Sequence, residues 1–284
     1  MPYLALLFNA FVWGLSWWPL RHLQAQGLHP LWATLLFFAL GGAVIALTRP
    51  QAWATVRRTP ALWVLALASG ATNAAFNWGV STGEVVRVVL LFYLMPLWAV
   101  GLAWWLLGER ITGLALVRVG LALGGALLVL RPVDGGWPAF QGLADWLGLL
   151  GGMGFALTNV VLRRQAAQPT SARALAMFLG GITLPALMGT VLAAQGVIPP
   201  WPPLQLTWLW QALALGSLFL IGNMALQFGA SRLPVHITSV VMLTEVMFAA
   251  GSAVWLGGEV LRPTVLAGGA LILLAALMAS RDKA

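Results

Sequence analysis

One carboxylate, a handful of amides and a set of aromatic rings carry the chemistry this sequence can offer. Glu245 falls near the middle of the apolar stretch 235–257. A charge is expensive in such surroundings and is retained where it works, so Glu245 is a candidate to carry a proton or neutralise a substrate ammonium. The alternative is a protonated carboxyl bonded to a neighbouring helix, with Thr238 or Thr244 near it. Asn73, Asn77 and Ser81 recur at i, i+4 and i+8, as do Asn223, Gln227 and Ser231, so each set shares one helix face. An amide facing lipid costs kilocalories, so these faces turn to protein or to a wet cavity. Interhelical hydrogen bonding, worth about 0.6 kcal/mol per bond, is the expectation for Asn73 and Asn223. For Asn77 and Gln227 a place in a cavity is as well supported. Trp13 and Trp17 share a helix face with Asn9 just below them, and Asn159 occupies the matching position in the second half of the chain. These residues, with Trp78 and Tyr93, are the candidates for a substrate-binding wall. Pro96 lies mid-run, where a proline frees a backbone carbonyl and can form a gate or kink. Arg87 reads first as a side chain snorkelling to the headgroups, second as an anion-attracting or gating group at a mouth. Arg118 lies deeper, about seven residues into the run 112–130, and could equally snorkel to the opposite leaflet.

Enzyme constellations are missing. His22, His29 and His236 fall at the ends of apolar runs, no Asp lies deep in one, and no Gly-rich loop ends in Lys-Ser/Thr. No catalytic residue, metal site or cofactor is expected. Cysteine is absent, which excludes disulfides.

The elements that must position these residues follow from composition. Of 284 residues 61% are hydrophobic and 8% charged, against about 25% charged in a soluble domain. The expected fold is all-α and integral to a membrane. The net charge of +8 is spread as single arginines, so no nucleic-acid partner is expected. A membrane helix needs about 20 apolar residues. Ten runs meet that need, at 3–21, 31–48, 61–82, 85–107, 112–130, 143–163, 172–194, 208–230, 235–257 and 264–280, separated by prolines, glycines and charges. The first run has no basic residues before it and reads as a retained span rather than a signal peptide. The glycine pairs at 41–42, 124–125, 151–152, 180–181 and 268–269 are expected to admit close helix packing.

The stretch from Asn73 to Glu109 recurs 150 positions later as Asn223 to Glu259, with twelve of 37 pairs identical and no gap. This is an internal duplication. Five spans per half is an odd number, so the copies are expected to be inverted in the bilayer, with a site at their interface. The division expected is 1–132 for the first half, 133–141 for a linker and 142–284 for the second half. With the N-terminus inside, ten arginines and lysines fall on the cytoplasmic side and four outside. Both termini are therefore expected in the cytoplasm. Glu109 and Glu259 end their spans and read as structural.

The segments Tyr93-Leu94-Met95-Pro96-Leu97-Trp98, Leu107-Gly108-Glu109-Arg110, Thr244-Glu245-Val246 and Gly257-Gly258-Glu259, with Phe11-Val12-Trp13-Gly14, resemble the EamA repeats of the drug/metabolite transporter superfamily. The resemblance covers essentially the whole chain and points to the YddG-type aromatic amino-acid exporters. It implies a 5+5 architecture with a central cavity lined by spans one, three, four, six, eight and nine. The expected function is secondary export of a small metabolite, hydrophobic or aromatic amino acids foremost, across the cytoplasmic (inner) membrane by alternating access. The partners are then a small-molecule substrate, the lipid bilayer and protons as a candidate coupling ion. An intramembrane enzyme or lipid scramblase is the alternative. The divergent pairs Asn77/Gln227, Trp78/Phe228, Tyr93/Leu243, Met95/Glu245 and Pro96/Val246 are where substrate contacts are expected.

Overall fold

Every expected run becomes helix, but three of them are broken and one helix was not anticipated. The computed structural model describes residues 1–108, 110–230, 232–233 and 235–280, and within these all side chains but those of Leu107, Gln227, Ala230, Val235, His236, Ser239 and Ser280. The first half contains α1 (Pro2–Leu15), α2 (Trp17–Ala25), α3 (Pro30–Thr48), α4 (Gln51–Arg58), α5 (Pro60–Thr82), α6 (Val85–Phe92), α7 (Met95–Leu107) and α8 (Gly113–Val129). The second contains α9 (Leu143–Arg164), α10 (Thr170–Ala194), α11 (Leu206–Ala230), α12 (Val235–Met242), α13 (Thr244–Gly257) and α14 (Pro263–Ser280). No strand occurs among the described residues. Seven helical stretches there are long and apolar enough to cross a membrane, and α8 and α14 are shorter apolar helices. The 23-residue α5 stands outside that set because Asn73, Asn77 and several hydroxyls dilute its hydropathy. The amphipathic α4 packs its buried Ala52 and Val56 against α10.

The breaks have local causes. Pro96 lacks an N–H and its ring opposes the carbonyl of Phe92 one turn back, so α6 ends at Phe92 and α7 restarts at Met95. Gly152 lies directly against that freed Phe92 carbonyl, where a Cβ would collide. In the second half α12 ends at Met242 and α13 starts at Thr244, the equivalent place, although Val246 stands where Pro96 did. There the Thr244 hydroxyl donates to the Val241 carbonyl at 2.6 Å, a side-chain bond that competes with helix continuation. The two broken spans also end alike. Gly108 and Gly258 take left-handed φ values of 69° and 66°, and each donates its N–H five residues back, to Ala103 and Ala253. A non-glycine residue is strained in that conformation.

Helix contacts repeat when the halves are exchanged. α5 packs on α9 and α10, and its counterpart α11 packs on α1 and α3. α6 and α7 pack on α9 as α12 and α13 do on α1, while α3 meets α10 and α8 meets α14. Without a hydrophobic drive in lipid, such contacts depend on close approach of small residues. Gly180 sits on the Ala66 carbonyl, and Gly125 and Gly268 face each other's carbonyls. Gly124 is the exception among the paired glycines and faces open space.

Candidate functional site

A cavity of about 1280 Å³ occupies the centre of the bundle. Its wall includes Asn9 and Trp13 from α1, Asn73 and Phe76 from α5, Tyr93, Met95 and Pro96 at the α6–α7 break, and Phe155 and Asn159 from α9. Asn223 from α11 and Glu245 from α13 complete it across the bundle. The cavity extends past Arg118 of α8 to Arg110 and Thr112 beyond α7 and Arg163 at the end of α9, which set its mouth at the end of the bundle richest in arginine.

Glu245 sits at the start of α13, just after the break, where helix restart points a dipole toward its carboxyl. Its Oε2 accepts from the Tyr93 hydroxyl at 3.3 Å, and that hydroxyl also lies 3.5 Å from the Met242 carbonyl. Two broken helices therefore meet at one Tyr–Glu pair. Gly14 of α1 backs it, packed on the Glu245 carbonyl and the Phe248 side chain. Around the pair stand aromatic rings. Trp13 contacts Phe76 edge-on at 6.0 Å and Phe219 at 4.5 Å, and Phe92 bridges Phe76, Tyr93 and Phe155 at 5.0 to 6.0 Å.

The amides are held from behind. Asn73 donates through Nδ2 to the Ser69 carbonyl at 2.8 Å, Asn159 to Phe155 at 3.0 Å and Asn223 to Phe219 at 2.9 Å. Asn9, only 1% exposed, has no partner for either side-chain atom, and Thr158 Oγ1 is equally buried and unpartnered.

The opposite end of the bundle is tied by charges outside the cavity wall. Glu259 accepts from the Val85 and Val86 N–H groups at the start of α6, at 2.7 and 3.4 Å, and lies 3.8 Å from Arg21. Arg21 also donates to the Gly83 carbonyl and lies over the Trp17 ring. Arg262 reaches Glu84 at 3.8 Å and donates to the Arg131 carbonyl. Glu259 thus serves a helix end, as expected, but the end belongs to the other half of the chain.

Of the residues singled out from sequence, Trp13, Asn73, Tyr93, Pro96, Asn159, Asn223 and Glu245 line the cavity together. Four others do not. Trp17 is 2% exposed and donates to Ser252 Oγ at 2.9 Å, locking α2 to α13. Asn77 is fully buried and donates to Thr34 Oγ1 at 2.9 Å, the interhelical bond expected instead of Asn73. Trp78 packs beside the His29 ring, away from the cavity. Arg87 neither snorkels nor reaches a mouth: it is 2% exposed and pairs with Asp145 through Nε at 2.7 Å and Nη2 at 2.8 Å. The side chain of Gln227, and all of Glu109 and Ser231, lie outside the described residues.

Sequence reasoning missed Phe76, Phe92, Phe155 and Thr158, and it left Arg118 out of the cavity wall. Arg118 is 6% exposed and lines the cavity, so span five joins the six spans expected there, as do spans two, seven and ten through Phe38, Phe178 and Ala276. The readable signal for Arg118 was its depth, about seven residues into the run.

The family model for the EamA-like transporter family matches residues 1–131 and 142–281, and the chain belongs to that family. A solved structure titled only as the crystal structure of a protein shares the fold, with a TM-score of 0.59 and 21% identity over 98% of this chain and 96% of that one. No curated protein matches the chain. The chain is accordingly a multi-pass membrane transporter of small molecules, and the family's members are not enzymes.

Proposed function

We propose that the protein is a secondary transporter of the cytoplasmic membrane that exports small amphipathic metabolites, hydrophobic or aromatic amino acids foremost, by alternating access. It works in this reading as two inverted five-helix halves, 1–132 and 142–284, joined by the linker 133–141, with both termini in the cytoplasm. The observation that carries the proposal is the cavity itself. It is open at the arginine-rich end, lined by rings, amides and one carboxyl, and tied shut at the other end by Arg21, Glu259, Glu84 and Arg262. Cavities of a few hundred to about 1,000 Å³ suit small ligands. The excess of arginine at the mouth supports a cytoplasm-facing opening. Trp13, Asn73, Tyr93, Asn159, Asn223 and Glu245 form the substrate wall, Glu245 is the candidate for proton coupling, and the break at Pro96 is the hinge. Closing the mouth requires the opposite network to part. Both ion pairs are long, at 3.8 Å, and only partly buried, so each contributes about 1 kcal/mol, which a solute's binding energy can offset.

Counterflow in proteoliposomes tests the reading. Vesicles loaded with unlabelled phenylalanine, tryptophan or leucine should take up the labelled form faster than protein-free vesicles. No flux of any amino acid, in either direction and with or without a proton gradient, would sink it.

A further inference from the structure

Five side chains of the cavity wall turn acceptor oxygens toward a solute. Asn73, Asn159 and Asn223 each give an N–H to the carbonyl one turn earlier on their own helix. The amide orientation follows from chemistry, since an oxygen turned to that carbonyl would oppose another oxygen. Each Oδ1 is therefore turned away from its helix, and no described group donates to any of the three. The Glu245 carboxyl takes one bond, from Tyr93. Asn9, 1% exposed on the same wall, leaves Oδ1 and Nδ2 both without a partner and can meet either kind of group. Among the described residues no lysine or arginine lines this depth, and the cations of the wall, Arg110, Arg118 and Arg163, belong to its mouth side. Trp13, Phe76 and Phe92 stand in the same wall, and aromatic rings attract cations.

From this we infer that the group the cavity recognises in its solute is a primary ammonium. Three N–H donors and one positive charge match the Glu245 carboxylate and the asparagine oxygens, and the apolar part of the solute packs on the rings. The inference rests on the transporter reading and sharpens it, because it separates solutes by head group rather than by side chain. An amine without a carboxylate is then a ligand, and an acid without an amine is not.

Four probes sharing one ring decide the matter on purified full-length protein in nanodiscs: phenylalanine, phenethylamine, N-acetylphenylalanine and 3-phenylpropionate. Binding is followed by calorimetry and by tryptophan fluorescence. Phenylalanine and phenethylamine should bind within about tenfold of each other, and the other two at least about tenfold more weakly. In the Asn223→Ala variant the advantage of the amines should shrink while the unfolding temperature holds. Equal binding of all four, or preference for 3-phenylpropionate, overturns the ammonium assignment. Flux of any probe in proteoliposomes keeps the transporter reading even then. Binding of the amines with no flux of any probe supports the assignment and removes the transporter reading instead.

Discussion

Breaking the Arg87–Asp145 pair should destabilise the protein far more than deleting it. The two side chains are 2% and 5% exposed. Arg87 forms a two-point contact with Asp145 and also donates to the Val129 and Ala139 carbonyls at 2.8 and 3.0 Å. Asp145 Oδ2 accepts the Gln141 N–H at 2.8 Å and stands in the first turn of α9. Asp145→Asn leaves Arg87 with two carbonyls and no counter-charge, so the loss should approach the 3 to 5 kcal/mol typical of an orphaned buried charge, about 4. Arg87→Met should cost less, about 3 kcal/mol, because the Gln141 N–H and the helix start still serve Asp145. The double variant Arg87→Met/Asp145→Leu removes both desolvation penalties. It forfeits three backbone partners, at about 1 kcal/mol each, partly returned by apolar packing. We expect it within about 2 kcal/mol of the parent, against about 7 for simple addition of the single losses. Unfolding in mixed dodecylmaltoside–SDS micelles measures all four proteins. Additive losses in the double variant would refute the assignment of Arg87 as an internally paired charge.

Three further outcomes are expected. Glu245→Gln keeps a partner for the Tyr93 hydroxyl but removes the charge; counterflow of an amine-bearing solute should fall at least about tenfold, or 1.4 kcal/mol, and parental flux would exclude the carboxyl from transport. His29 caps α3 by accepting the Leu31 N–H on Nδ1 at 3.2 Å, and burial lowers its pKa from 6.5 to about 4. The folded protein then binds fewer protons than the unfolded chain between those values, so stability present above pH 6.5 is lost as pH falls toward 4. His29→Asn keeps a capping acceptor and should flatten the melting temperature over that window; parallel curves for the two proteins would contradict this. Gly180→Val drives a Cβ into the Ala66 carbonyl, a backbone group that cannot swing aside, and should lower stability by about 2 to 4 kcal/mol in the same micelle assay. Gly124→Val, facing open space, should cost less than about 1 kcal/mol.

The sequence by itself determined the medium, the helices and the duplication, because each is local or periodic. Hydrophobic runs, their breakers and a shift of 150 positions require no knowledge of what touches what. It also singled out Glu245, which lines the cavity, since a carboxyl deep in an apolar run is conspicuous without a partner. It could not tell a cavity-facing amide from a buried one. Asn73 and Asn77 stand four residues apart on one face, yet the first lines the cavity and the second bonds Thr34. A helix face is broad enough to serve both, and only the position of α3 decides between them. Arg87 was misread for the same reason: its partner Asp145 lies 58 residues away, and a charge looks bound for the headgroups until its counter-ion is known. Of the divergent pairs, those at the helix breaks, Tyr93/Leu243 and Met95/Glu245, reach the cavity on both sides. The identical Asn73 and Asn223 reach it too. Repetition in the sequence marks what the two halves share; the tertiary structure decides which of those shared positions face the centre, because facing is a property of packing.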